Sequence, residues 1–573
     1  MALAATTIWE LRTTGNDANG GGFDPALSGT DYSLQDSAQA TYSDISVSGI
    51  SAPSAPTVNS GNGTLTLGVY KVKITYLTAA AEETTPSSES SITVTSTSND
   101  AIVVTSPGAA TDATKYRVYA TIHDGSTFYL CNGAGTNLGT NYTISTNPNT
   151  NNAQPPATNN TGLYLSSSAR NFLDADKGNN LQFSADAKVV QIKSITTGVA
   201  KIDRGITTPA SGLGGKLGGC MATPGKIGGY AINGNRVHCA GGTYTTNVDS
   251  LNVSNGKIST TGVSWIGYQT TRQDLGDPPV FVNTVNNAVL MAVAGTAIHV
   301  HNFKFVGTGN NTLGGTGLSV SATQSLIHKI TATALVKCIY NTGNQNCYVD
   351  LRFEGDMTKD GLDNIINYTV DGLYNAGGTD IQVSLVVGYD MFGEFLTPWG
   401  DRGLYVLCFS RNCGQNGAVR SDIGNNRNVF INCSFLGDFQ NLCSTASGMV
   451  LDGDSILVMN CLIAGYGTYG IEHITTSAIN STFRNISTFN TPTGVYSLAG
   501  TPLGLKDFAE IADPFVSDET ANYNLVADSA VARAGIPTHL DAAFATNLNI
   551  GAVQEPTGGT TSKKHRGHFN QGL

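Results

Sequence analysis

Charge is scarce in this chain. Asp, Glu, Lys and Arg make up 13% of the 573 residues, and acidic outnumber basic residues 42 to 31, for a net charge of −11. A protein that neutralises duplex phosphates needs a basic surface, so nucleic acid is excluded as the main partner. Low charge beside 40% hydrophobic residues also excludes a disordered chain. Proline is sparse, 18 residues against 67 glycines. The glycines follow no three-residue period, which excludes collagen. No apolar run is long enough to cross a bilayer, so membrane insertion is not expected. The ten cysteines include no Cys-x-x-Cys pair, so zinc-ribbon spacing is missing. Also missing are Gly-x-Ser-x-Gly, a phosphate-binding loop and the calcium-binding nonapeptide repeat. The opening stretch from Met1 to Trp9 carries no basic leader and only a very short apolar run, and reads as no secretory signal.

What the chain does have is Ser, Thr, Asn and Gly in abundance, the mixture of β-strands joined by tight turns. A length of 573 residues is too great for one ordinary globular core. A solenoid escapes that limit, because each coil buries its apolar face only against its neighbours. The repeat is clearest late in the chain. Val429-Phe-Ile-Asn-Cys-Ser-Phe-Leu-Gly437 matches Leu457-Val-Met-Asn-Cys-Leu-Ile-Ala-Gly465, an offset of 28 from Cys433 to Cys461. A third copy is expected at Ala478–Phe483, an offset of 20 from Asn460 to Asn480, and a looser one at Asn302–Phe305. Such variable coils are the signature of a parallel β-helix. Cys338, Cys408, Cys433 and Cys461 fall inside strand-like runs and read as small buried hydrophobes. Asn432, Asn460 and Asn480 are expected to stack as an amide ladder.

These features predict an all-β chain: a right-handed parallel β-helix with an N-terminal cap and an inserted small β-sandwich. Residues 1–50 read as the cap, with a Gly-dense turn at Gly20. Residues 51–160 hold short strands of period two between Pro- and Asn-rich linkers, such as Gly68–Tyr76 and Lys115–Ala120. Residues 161–225 resume the cap, with a hairpin over Val189–Lys193 and Val199–Asp203. The β-helix occupies 226–500, a closing segment 501–555, and a flexible basic tail 556–573.

The strand order in 51–160 resembles immunoglobulin-like or fibronectin type III-like modules. Val237-His-Cys-Ala-Gly-Gly-Thr-Tyr-Thr245 resembles the first coil of pectate-lyase-like β-helices. Asp513-Pro-Phe515, Asn522–Leu525 and Asn549–Gln554 resemble the closing segment of that group. The stretch from Trp9 to Phe23 resembles the N-termini of tailed-bacteriophage and prophage proteins. That resemblance implies a fibre, spike or surface decoration of the virion, assembled in the host cytoplasm and released by lysis, which also suits the missing export signal. It implies other virion proteins and host surface polysaccharide as partners, and a homo-oligomer, with a trimer favoured. It supplies no catalytic residues. Two alternatives stay open: a phage tailspike or depolymerase cleaving a surface polysaccharide, and a bacterial adhesin.

Glycan cleavage needs paired carboxylates, or a base with a charge-neutralising group. The richest stretch runs from Tyr389 to Gly403. It offers Asp390, Glu394, Asp401 and Arg402 as catalytic candidates and Trp399 and Phe395 as glycan-binding rings. An ordinary loop, with acids in water and rings on the core, explains the same residues. Asp452, Asp454, Glu472 and His473 form a weaker group. His299 and His301 alternate on a strand and share one face, but a third ligand at sensible spacing is missing. No metal or cofactor is therefore expected. Lys563, Lys564 and Arg566 in the tail are candidates for attachment.

Overall fold

The computed structural model describes residues 3–525 except for internal stretches, the longest being 246–256, 308–314 and 356–370; from 499 onward it describes only the backbone of three strands. The chain divides into two units, Met1–His238 and Cys239–Leu573.

In the first unit, Ile8–Leu11 pairs antiparallel with Gly22–Phe23, placing Ile8 opposite Phe23. Trp9 is fully buried; its indole Nε1 donates to Asn235 Oδ1 at 3.0 Å, and its ring stacks on Tyr230. The Gly-dense turn has a steric reason at Gly20, where an added Cβ would meet the Asn180 carbonyl oxygen at 1.8 Å. Beyond the turn the chain closes a six-stranded antiparallel barrel from Ala40–Ser48, Asn159–Ser166, Asn180–Phe183, Val189–Thr196, Val199–Thr208 and Ala210–Leu217. Tyr42, Ile45, Leu165, Leu181, Ile192 and Ile202 fill it. The hairpin around 189–203 forms, with Ile192 opposite Ile202. The barrel around it was not foreseen from sequence.

The chain leaves the barrel after Ala40–Ser48 and returns at Asn159, whose Nδ2 donates to the Ile50 carbonyl at 2.8 Å. Between these points lie two antiparallel sheets, one built on Gly68–Thr78 and Ala113–Thr121 and one on Ala101–Val104. Both bury side chains into one cluster, including Tyr70, Val72, Ile102, Val104, Tyr116 and Val118. Asp112 receives Lys201 and Tyr164 from the barrel strands.

In the second unit every strand of the solenoid pairs parallel. Successive coils align Ser264, His299, Leu326, Cys347, Gln382, Leu404, Val429, Leu457, Thr482 and Gly504 in one long sheet. A second, ten-stranded parallel sheet runs from Lys257–Ile258 to Gly494–Leu498. Coils from the one containing Ile298 onward span 27, 21, 35, 22, 25, 28 and 25 residues. Cys433 and Cys461 are fully buried on consecutive coils, and Ile486 aligns with Cys461 on the next. Burial pushes the thiols of Cys408 and Cys461 up, as it does for small hydrophobes inside a core.

The amide ladder needs one correction. Asn460 Nδ2 donates to Asn432 Oδ1 at 3.0 Å, and Asn485 Nδ2 donates to Asn460 Oδ1 at 2.9 Å. The third rung is thus Asn485, and Phe483 aligns with Val458. Asn480 instead bonds Asp454 at the surface. The backbone explains the preference. Asn302, Asn432, Asn460 and Asn485 occupy the same turn of their coils, with φ between 52° and 64°. Asn tolerates that left-handed conformation better than other residues with a side chain. Lys329, Asp350, Leu385 and Leu407 hold equivalent places on other coils, also at positive φ.

The parallel sheet does not stop at 500, since Gly504–Glu510 pairs parallel with Thr482–Phe489. Phe515–Ser517 and Asn522–Leu525 then pair antiparallel. The rest of the closing segment and the tail residues Lys563, Lys564 and Arg566 lie outside the described residues.

Candidate functional site

Parallel register stacks like positions of successive coils, so a short run in sequence becomes a row in space. On the ten-stranded sheet, Tyr340 pairs in register with Tyr374, and Tyr374 with Thr397. Tyr340 and Tyr374 alternate with the buried Ile339 and Leu373, so they face outward. The Tyr340 and Tyr374 rings stack with centroids 5.6 Å apart, and Trp399 lies 4.8 Å from Tyr374. Lys337 Nζ sits 3.9 Å from the Tyr374 centroid and 4.9 Å from that of Tyr340, a cation held over two ring faces. All four side chains are half-buried, and the indole Nε1 of Trp399 has no hydrogen-bond partner.

Next to this row the register pairs Lys337 with Asp371. Asp371 and Glu394 are both buried. Burial, then a hydrogen bond to Glu394 and its charge, push the Asp371 carboxyl up to about 8, while Lys337 pulls the other way. The pair therefore holds a proton near neutral pH. Arg420 Nη1 lies 4.0 Å from Glu394 Oε1. Asp371 carries no motif; only the register, with offsets of 34 residues from Lys337 to Asp371 and 23 from Leu373 to Leu396, brings it to Glu394.

The other candidates from the same stretch do not join this pair. Asp390 ends the strand Gln382–Met391 of the other sheet, where its Oδ1 accepts from Asn412 Nδ2 at 3.0 Å and Arg411 approaches to 3.7 Å. Asp401 and Arg402 line a surface cleft of about 250 Å³ with Arg427, Asp454 and Ser455. Arg402, Arg427 and Ser455 occupy one left-handed turn position on three successive coils. Arg402 forks onto Asp380, with Nε and Nη2 contacts of 2.5 and 2.7 Å, and holds that carboxyl below its usual range. Phe395 is a correction: it is fully buried against Phe353 and Phe435, so no ring face is open to a sugar. In the weaker group, Glu472 accepts from Ser447 Oγ at 2.7 Å, and His473 Nε2 contacts the Gly453 carbonyl at 2.9 Å.

Beside His299 and His301 stands a third histidine that sequence spacing failed to offer. His328 pairs in register with His301 on the next coil. The signal was the 27-residue coil length, visible only once the register is known.

The fold defines the class: an all-β, right-handed parallel β-helix. Three solved structures are similar to the chain at low identity. A pectate lyase, Pel9A, has 14% identity and a TM-score of 0.37, covering 58% of this chain and 90% of its own. A rhamnogalacturonan lyase has 11% identity and a TM-score of 0.35, covering 53% and 87%. An alginate lyase from Paenibacillus sp. has 13% identity and a TM-score of 0.28, covering 48% and 92%. No family model and no curated protein matches the chain.

Proposed function

We propose that this chain is a structural β-helix protein of a phage particle, a fibre, spike or surface decoration, that holds a surface polysaccharide against its ten-stranded sheet. The observation that carries the glycan part is the outward row of Tyr340, Tyr374 and Trp399 beneath Lys337. Aromatic faces give a sugar an apolar platform, and Tyr340, Tyr374 and Trp399 supply three of them side by side. Lys337 and Arg420 favour a glycan bearing carboxylates. The virion setting rests on the Trp9–Phe23 resemblance, as does the homo-oligomer, for which cyclic symmetry suits a trimer.

The test is retention of the purified protein on a panel of immobilised bacterial polysaccharides. Tyr374→Ala and Trp399→Ala should each weaken binding about tenfold, the size of one lost aromatic contact. Equal retention by wild type and both variants would remove the glycan reading.

The Asp371–Glu394 pair favours a second reading, a depolymerase. It weighs against hydrolysis, however, that these carboxyls hydrogen-bond to each other. Retaining and inverting enzymes hold theirs about 5–5.5 Å or about 6.5–9.5 Å apart. Oligosaccharide release by wild type, lost in Asp371→Asn, would establish the depolymerase instead.

A further inference from the structure

The strand His299–Val306 turns Val300 inward and leaves His299 and His301 on the outer face of the long sheet. Parallel pairing with Leu326–Thr333 sets His328 beside His301. The three rings form a parallel stack: His299 and His301 at 5.7 Å and 9°, His301 and His328 at 4.7 Å and 5°. One ring nitrogen from each lies within 4.8 Å of the other two. Nothing in the glycan row accounts for this cluster.

We propose that His299, His301 and His328 bind one divalent transition-metal ion of the zinc class, with water completing a tetrahedron. The donor set fits: imidazole nitrogens suit zinc and its neighbours, and three protein ligands leave a fourth position open. Metal–nitrogen bonds of about 2.0–2.1 Å place ligand atoms about 3.3 Å apart in a tetrahedron, so small ring rotations close the set. His299 Nε2 is buried with no hydrogen-bond partner, a polar atom that an ion would satisfy.

Electrostatics favour lone pairs over protons here. Burial pushes all three imidazoles down, His301 to about 4. Neutral rings are the ligating form. Among the described residues, Lys329 and Asp350 act on the cluster. Lys329 opposes a cation, but its ammonium is held by the Leu275 carbonyl at 2.7 Å. Asp350 acts on His328 in the opposite sense and favours positive charge. The ion would join two successive coils, and an ion that binds only the folded chain raises its melting temperature.

The experiment uses the full chain, stripped by a chelator and titrated with Co²⁺. The expected result is one equivalent, visible bands of tetrahedral cobalt without thiolate charge transfer, displacement by Zn²⁺ and a higher melting temperature. His301→Ala and His328→Ala should each weaken binding by at least about 10–100-fold, the loss that changes merely behind a ligand produce. No saturable uptake, thiolate charge transfer from the cysteines, or wild-type affinity in both variants would overturn the site. Should a variant fail to fold, the wild-type cobalt spectrum decides, since only imidazole and water ligation satisfies the proposal.

Discussion

Asn460 sits at the centre of two amide bonds, one to the coil before and one to the coil after. Asn460→Ala removes both buried bonds and should cost about 2–3 kcal/mol in urea unfolding. Asn480→Ala, which loses one surface contact to Asp454, should change stability by less than about 0.5 kcal/mol. Leu385 tests the backbone half of the argument. It holds the ladder's turn at φ 55° with its side chain exposed. A leucine pays about 1–2 kcal/mol in that conformation, so Leu385→Asn should raise stability by about 1 kcal/mol. Residue spacing showed that Asn and Cys recur. It mistook the third Asn because adjacent coils differ in length, 28 residues and then 25.

Strands bring together residues that the sequence keeps apart, and the Asp371–Glu394 pair makes stability depend on pH. The folded Asp371 carboxyl is raised to about 8 from an ordinary value of 3.8. Between those values the unfolded chain releases its proton while the folded chain keeps it. The stability this group adds is therefore complete near pH 4 and is lost as pH climbs toward 8. Unfolding free energies from urea titration at pH 5 and pH 8 should differ by on the order of 2 kcal/mol, and Asp371→Asn should flatten that slope. Period-two patterning in the sequence supported strands and outward positions. It did not tell a ring on the surface from a ring in the core. Phe395 and Trp399 sit four residues apart, yet one is fully buried and the other faces outward from a turn. Which side each takes depends on where the coil bends, and that is set by neighbouring coils.

At the scale of the whole chain the parallel solenoid was legible, because its inward columns repeat. The six-stranded barrel was not, because its strands pair across a gap of more than a hundred residues: Tyr164 lies opposite Ser48. That pairing bears on residues 53–158. Both ends of the segment meet at the barrel, where Asn159 bonds Ile50. A short Gly-Ser bridge in place of 53–158 should leave a cooperative melt of the remainder, because the ends are already adjacent. A chain that no longer melts cooperatively would mean that Asp112 and its barrel partners Lys201 and Tyr164 are essential to the fold.

The coil between Cys347 and Gln382 uses 35 residues where the one before it uses 21, yet both return to the same register. Each rung closes against its neighbours alone, so surplus chain costs little: doubling a loop adds only about 0.6 kcal/mol. Such a scaffold is a ready display platform. A foreign epitope of a dozen residues inserted after Gly377, which is exposed with open space around it, should leave the rungs on either side undisturbed. Loss of the parent's melting transition in that graft would show that this stretch contributes to the rungs themselves.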